Sequence, residues 1–163
     1  MALAFRRDFS GRWLTAIAVA AVAAVIGALV SQHWFEMRPC AWCVLQRVVF
    51  MLIALAAGAG AALGSATGRL WSAALVLALS VCGIAAGLWQ HFVAAKSASC
   101  DMTLADRLVA ATGLNTALPE VFAPYASCAD AAVDLFGVPY VVWSLALFVL
   151  LVLAALAVLR RVR

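Results

Sequence analysis

Five cysteines stand at positions 40, 43, 82, 100 and 128, and four of them fall in two groups able to do chemistry. Cys40-Ala41-Trp42-Cys43 is a C-x-x-C pair. That spacing serves thiol–disulfide exchange or zinc ligation, and by itself it does not choose between them. Pro39 precedes it and a long apolar run follows. Both sulfurs therefore belong at the start of a helix, where free N–H groups and the helix dipole favour a thiolate. The thiolate is the species that attacks a disulfide. Arg47 lies four residues past Cys43, on the same helix face one turn deeper. An arginine that far into an apolar run is costly and calls for a purpose beyond snorkelling to the surface, such as polarising a sulfur or holding an oxygen of a polar ligand head. Cys100 and Cys128, in the polar settings Ser99-Cys100-Asp101 and Ser127-Cys128-Ala129, form a second, separate pair. Cys82 lies alone in an apolar run and reads as a small buried hydrophobe without a role.

The elements that must carry these residues follow from composition. Hydrophobic residues make up 68% of the 163-residue chain and charged residues 11%, with a mean hydropathy of +1.11. A soluble domain of this length cannot bury so much apolar surface. The net charge of +4 is scattered, with no basic patch interleaved with aromatics, so nucleic acid is not an expected partner. The lipid bilayer is. Runs at about 13–31, 44–63, 70–95 and 139–159 are long enough to span it as helices, and none shows the alternation of a membrane barrel strand. The first run follows Arg6, Arg7 and Arg12, but its apolar core is too long for a signal peptide and no small-x-small site follows it, so it reads as an uncleaved span.

The expected fold is all-α: a membrane four-helix bundle running up-down-up-down, as a single domain over 1–163. Arg6, Arg7, Arg12, Arg69, Arg160, Arg161 and Arg163 gather on one side against Asp8 alone. The other side carries Arg38, Arg47, Lys96 and Arg107 with six carboxylates. The positive-inside rule then places both termini in the cytoplasm, and outer loops at about 32–43 and 96–138 carry the two cysteine pairs. Most of the six tryptophans fall near span ends. His91, at the outer end of the third span, reaches roughly the depth of Arg47 and suggests a shared polar pocket. Within the second loop, Met102, Leu104, Leu108 and Val109 recur at helical spacing. Asp101 or Thr103 is placed to cap that short amphipathic helix and Gly113 to stop it. Gly60-x-x-x-Gly64 and Gly83-x-x-x-Gly87 read as close-packing sites without chemistry.

The outer compartment permits disulfides. Cys100 and Cys128 form either a permanent staple or a disulfide built to exchange. The membrane-edge C-x-x-C beside them favours exchange: electrons from a soluble dithiol enter at the loop pair and leave at the helix pair. The acceptor must then be lipid-soluble, and a quinone, taking two electrons and two protons, fits.

These residues resemble the DsbB family, four-span thiol oxidases of the bacterial inner membrane. The likeness runs over nearly the whole chain, and Cys40-x-x-Cys43-x-x-Gln46-Arg47 at the head of the second span is its most specific part. The resemblance implies a DsbA-like periplasmic protein of thioredoxin fold as partner and ubiquinone or menaquinone as cofactor, with no metal. It implies that Cys100 forms the mixed disulfide with the partner and that Cys128 is released and exchanges with Cys40. By the same likeness Cys43 faces the quinone, Arg47 polarises a quinone oxygen, and His91 assists. The short loop helix resembles the family's membrane-lying helix. Ala41-Trp42 is bulkier than the family's usual pair, Val133 stands where a tryptophan is frequent, and Pro139 is separated from Trp143-Ser144 where the family has Pro-x-Trp-Ser.

Three rivals fit less well. In vitamin K epoxide reductase-like enzymes the loop pair precedes the C-x-x-C; here it follows. A Cys₄ zinc site lacks a second C-x-x-C and sits in an oxidising space. A stapled scaffold without turnover accounts for Cys100 and Cys128 but not for Cys40, Cys43 and Arg47 together.

Overall fold

The computed structural model describes the backbone of residues 2–96 and 103–162, and side chains from residue 9 onward within them. Four long helices dominate: α1 (Ala2–Trp34), α2 (Ala41–Leu63), α3 (Ala66–Phe92) and, at the end of the chain, α7 (Tyr140–Val162). All four are long and apolar enough to cross a bilayer. They pack in a ring, α1 on α2, α2 on α3, α3 on α7 and α7 back on α1. This is the expected all-α bundle; α1 begins well before its expected span, at Ala2 rather than near 13, α2 and α3 begin a few residues early, and α7 ends a few residues late.

The core is built from residues three and four apart on each helix: Leu14, Ile17, Ala21 and Val25 from α1, Phe50, Ile53 and Ala57 from α2, Val76 from α3, and Phe148, Leu151, Ala155 and Val158 from α7. Phe50 and Phe148 stack with centroids 4.1 Å apart and planes 1° from parallel. The opposite faces, with Leu55, Trp71 and Leu150, are as apolar as the core but exposed, as a lipid-facing surface requires. Lipid removes most of the hydrophobic drive for helix association, so close packing must supply it. Gly83 and Gly87 do so: a Cβ at Gly83 would overlap the Phe148 ring, and one at Gly87 would come within 2.8 Å of Leu145. Gly60 likewise admits Ser72, whereas Gly64 ends α2 in the left-handed conformation at φ 66°. Cys82, one position from Gly83, points outward from the bundle rather than into it.

Between α3 and α7 the described part of the long loop, from residue 103, folds over the end of the bundle. It holds α4 (Leu104–Thr112), two single turns α5 (Leu114–Ala117) and α6 (Pro119–Phe122), and a hairpin of β1 (Asp134–Leu135) with β2 (Val138–Pro139). Thr103 caps α4 in a reciprocal box with Asp106, and Gly113 closes it at φ 68°. Asp101 and Met102 lie outside the described residues. Val109 and Phe122 bury against Val44 and Val48, seating the loop on α2.

Candidate active site

The site forms where α2 begins. Pro39 cannot continue a helix backwards, and Cys40 takes the N-cap position with extended backbone (φ −88°, ψ 172°). Cys43 then falls in the first turn, with its sulfur 3.1 Å from that of Cys40. The free carbonyl of Pro39 accepts two backbone hydrogen bonds from the long loop, from Tyr125 N–H at 2.9 Å and Ala126 N–H at 3.2 Å. This pins the loop beside the helix start and brings Cys128 to pack beside Cys40. Cys40 is thus the middle sulfur of three, with Cys43 on one side and Cys128 on the other. Cys100, the fourth expected member, lies outside the described residues.

The two sulfurs outside the membrane span are polarised in opposite directions. The buried Cys40 thiol is pushed far up, first by the hydrogen bond with Cys128, then by that with Cys43 and by burial. The Cys128 thiol is brought below its ordinary value, first by the hydrogen bond from Cys40, with burial opposing. Cys128 is therefore disposed to be the anion and Cys40 the neutral sulfur between.

On its other side Cys43 lines a cavity of about 260 Å³. Arg47 lines the same cavity, as do Gln46, Gln90, Tyr140 and Ser144, while Ala24, Gly27, Phe50 and Leu147 give it apolar walls. A mostly apolar hollow with a few convergent polar groups is the usual form of a small-molecule site. Arg47 is buried, with 5% of its surface exposed. One of its terminal nitrogens (Nη1) donates to Gln32 Oε1 at 2.7 Å and to Val121 O at 2.8 Å, and the other (Nη2) to Ala28 O at 3.3 Å. These acceptors are neutral oxygens, and among the described residues no carboxylate pairs with it. A buried cation hydrogen-bonded to neutral oxygens keeps charge to offer an anion or a polarisable oxygen.

The structure brings together Cys40, Cys43, Arg47 and Cys128 of the residues singled out in the sequence. His91 is half-buried and packs edge-on against Phe92 at 4.9 Å, and it is not among the residues lining the cavity. Its neighbour Gln90 is, and donates from Nε2 to Cys43 Sγ at 3.1 Å. In the sequence no motif marks a role for Gln32, Gln90 or Tyr140, and Gln46 and Ser144 stand out only as parts of motifs. Amides within or at the edge of apolar spans were the signal that could have found the glutamines.

Comparison with known proteins agrees with the resemblance. The family model described as "Disulfide bond formation protein DsbB" matches residues 10–158. A disulfide bond formation protein B of Pseudomonas syringae pv. tomato is 31% identical over 140 residues, covering 85% of this chain and 83% of the relative. One from Burkholderia pseudomallei is 29% identical, covering 93% and 89%. One from Polaromonas naphthalenivorans is 27% identical, covering 94% and 93%.

Proposed function

This chain belongs to the DsbB family of disulfide bond formation proteins, and on that premise we propose that it oxidises a DsbA-like periplasmic dithiol protein by a two-disulfide relay and passes the electrons to a membrane quinone. It is a multi-pass membrane oxidoreductase of disulfide formation. The proposed setting is the bacterial inner membrane, with both termini cytoplasmic, the cysteines periplasmic, and residues 1–163 acting as one unit.

In this reading a partner thiolate attacks Cys100 of a Cys100–Cys128 disulfide, forming the mixed disulfide and releasing Cys128 as thiolate. The second partner thiol then resolves the mixed disulfide, leaving the partner oxidised and Cys100 reduced. Cys128 attacks Cys40 of a Cys40–Cys43 disulfide, forming Cys40–Cys128 and releasing the Cys43 thiolate. Cys100 displaces Cys40 from Cys128, so the loop pair is restored and Cys40 and Cys43 hold the two electrons. The observation that carries this reading is the order of the sulfurs, Cys128 against Cys40 and Cys40 against Cys43. Exchange places its negative charge on the outer two sulfurs, and the thiol value of Cys128 is lowered while that of Cys40 is raised.

The cavity fits a quinone head: apolar walls for a ring, a sulfur at one side, and for an oxygen a cation that no carboxylate pairs with among the described residues. A quinone bound there would supply a two-electron, two-proton acceptor. Arg47 would hold and polarise its oxygen, and Cys43 would face its ring. The resemblance also offers His91 to this pocket, but its ring lies against Phe92, so the reading rests on Arg47 and Cys43.

The deciding experiment combines the purified chain with a short-chain ubiquinone and a reduced DsbA-like protein, following quinone absorbance. Quinone reduction should match partner oxidation one to one. Partner oxidation with no loss of quinone would remove the acceptor from the reading.

A further inference from the structure

Three side chains from three helices form one continuous line to the Cys43 sulfur. Ser144 Oγ on α7 donates to Gln46 Oε1 on α2 at 2.6 Å. Gln46 Nε2 donates to Gln90 Oε1 on α3 at 2.7 Å. Gln90 Nε2 donates to Cys43 Sγ at 3.1 Å. Both glutamines are buried, at 5% and 7% exposure, in helices that otherwise present apolar surface. Burying two carboxamides costs free energy unless each finds its partners, so the arrangement calls for an account.

The far end of the line has two positions. The Ser144 hydroxyl carries one proton, yet it stands 2.6 Å from Gln46 Oε1 and 2.9 Å from the Val141 carbonyl. When it donates to Gln46, both amides turn their N–H groups towards the sulfur, which suits a thiolate. When it donates to Val141, its lone pairs can accept from Gln46, both amides can turn over, and the Gln90 carbonyl can accept from a Cys43 S–H. Every link is satisfied in either sense. Neither requires a charge on the line, and no proton travels along it.

We propose that Ser144, Gln46 and Gln90 form a reversible hydrogen-bond line that solvates the Cys43 sulfur, pointing donors at it as an anion and an acceptor at it as a thiol. Gln90 touches the reacting sulfur, and Gln46 and Ser144 are positioning residues that act through it. The line does for a sulfur at the membrane edge what water does for an exposed one, following its charge as it changes. The proposal rests on the reading that Cys43 carries charge during turnover, but its test needs neither quinone nor partner. Failure of quinone reduction would therefore leave it standing or falling on its own.

The test uses the full chain in detergent, reduced and then alkylated with iodoacetamide at one fixed neutral pH, with mass spectrometry reading each cysteine. Gln90→Met, close in shape but without a donor, should slow alkylation of Cys43 about tenfold. Gln46→Met and Ser144→Ala should slow it about threefold each, because they remove the partners that orient Gln90. Rates at Cys128 should stay within about twofold of the unaltered chain. Titration of the Cys40–Cys43 couple in glutathione buffers should show a less oxidising pair in Gln90→Met, by about 30 mV for a tenfold loss. An unchanged Cys43 rate in Gln90→Met overturns the proposal. So does a slow Gln90→Met beside unaltered Gln46→Met and Ser144→Ala, which would mean that Gln90 acts alone. Ser144→Ala deletes one oxygen at a half-buried position and carries the test should Gln90→Met fail to fold.

Discussion

Replacing Arg47 with methionine separates the two jobs its geometry implies. Methionine keeps most of the buried stem and its packing while removing the guanidinium. Three hydrogen bonds are lost, to Gln32, Val121 and Ala28. On the acceptor side, a charged hydrogen bond to a ligand oxygen is worth about 1.5–3 kcal/mol. At about 1.4 kcal/mol per tenfold, the apparent KM for a short-chain ubiquinone should rise about ten- to a hundredfold. On the loop side, the Val121 carbonyl loses a donor, at a cost of about 1 kcal/mol or more. The segment leading to Cys128 is still held by the two bonds into Pro39 O, so Cys128 should stay beside Cys40. Trapping of the partner as a mixed disulfide should then change by less than about threefold. Arg47→Lys keeps the charge without the forked donors and should fall between. The assay is steady-state quinone reduction at varied quinone, run beside single-turnover trapping on non-reducing gels. A KM that does not move in Arg47→Met refutes the role given to the cation. Trapping lost together with quinone use would mean that Arg47 acts by holding the loop.

Cys43→Ser should abolish quinone reduction while a mixed disulfide with the partner can still be trapped at Cys100; normal turnover would reverse the proposed order. Folding lowers the Cys128 thiol value, so the stability it lends the reduced protein is present above the ordinary thiol range and is lost as pH falls through the lowered value. Cys40→Ala removes the donor responsible and should move the pH midpoint of Cys128 alkylation upward; an unmoved midpoint would assign the shift elsewhere. Gly83→Ala forces a methyl into the Phe148 ring and should cost about 1–3 kcal/mol, read as a lower heat-unfolding midpoint. Gly58→Ala, with nothing within 4 Å of its added carbon, is the matched control and should leave the midpoint unchanged or slightly raised.

The spans, the loop helix and the cluster at the head of α2 were legible because each rests on local signals: apolar length, a Thr103 cap with a Gly113 stop, and C-x-x-C four residues before Arg47. What was not legible is direction around a helix in a span apolar on all sides. Depth follows from rise per residue, which is what sets His91 near the level of Arg47 in the sequence. Azimuth turns by about 100° per residue, so its neighbour Gln90 faces the cavity instead. Cys82 was misread for the same reason, since its neighbour Gly83 is the one that meets α7. The line from Ser144 to Cys43 joins residues 98, 44 and 47 positions apart, and no local pattern announces such pairings.

The loop is fastened at Pro39 by main-chain atoms alone, two amides meeting one carbonyl. These two bonds do not pass through the side chains at positions 125 and 126, so a substitution there leaves both of them available. Only a proline at either position would remove a prong. A conventional alanine survey would leave both prongs in place and so pass over the contact that keeps Cys128 within striking range.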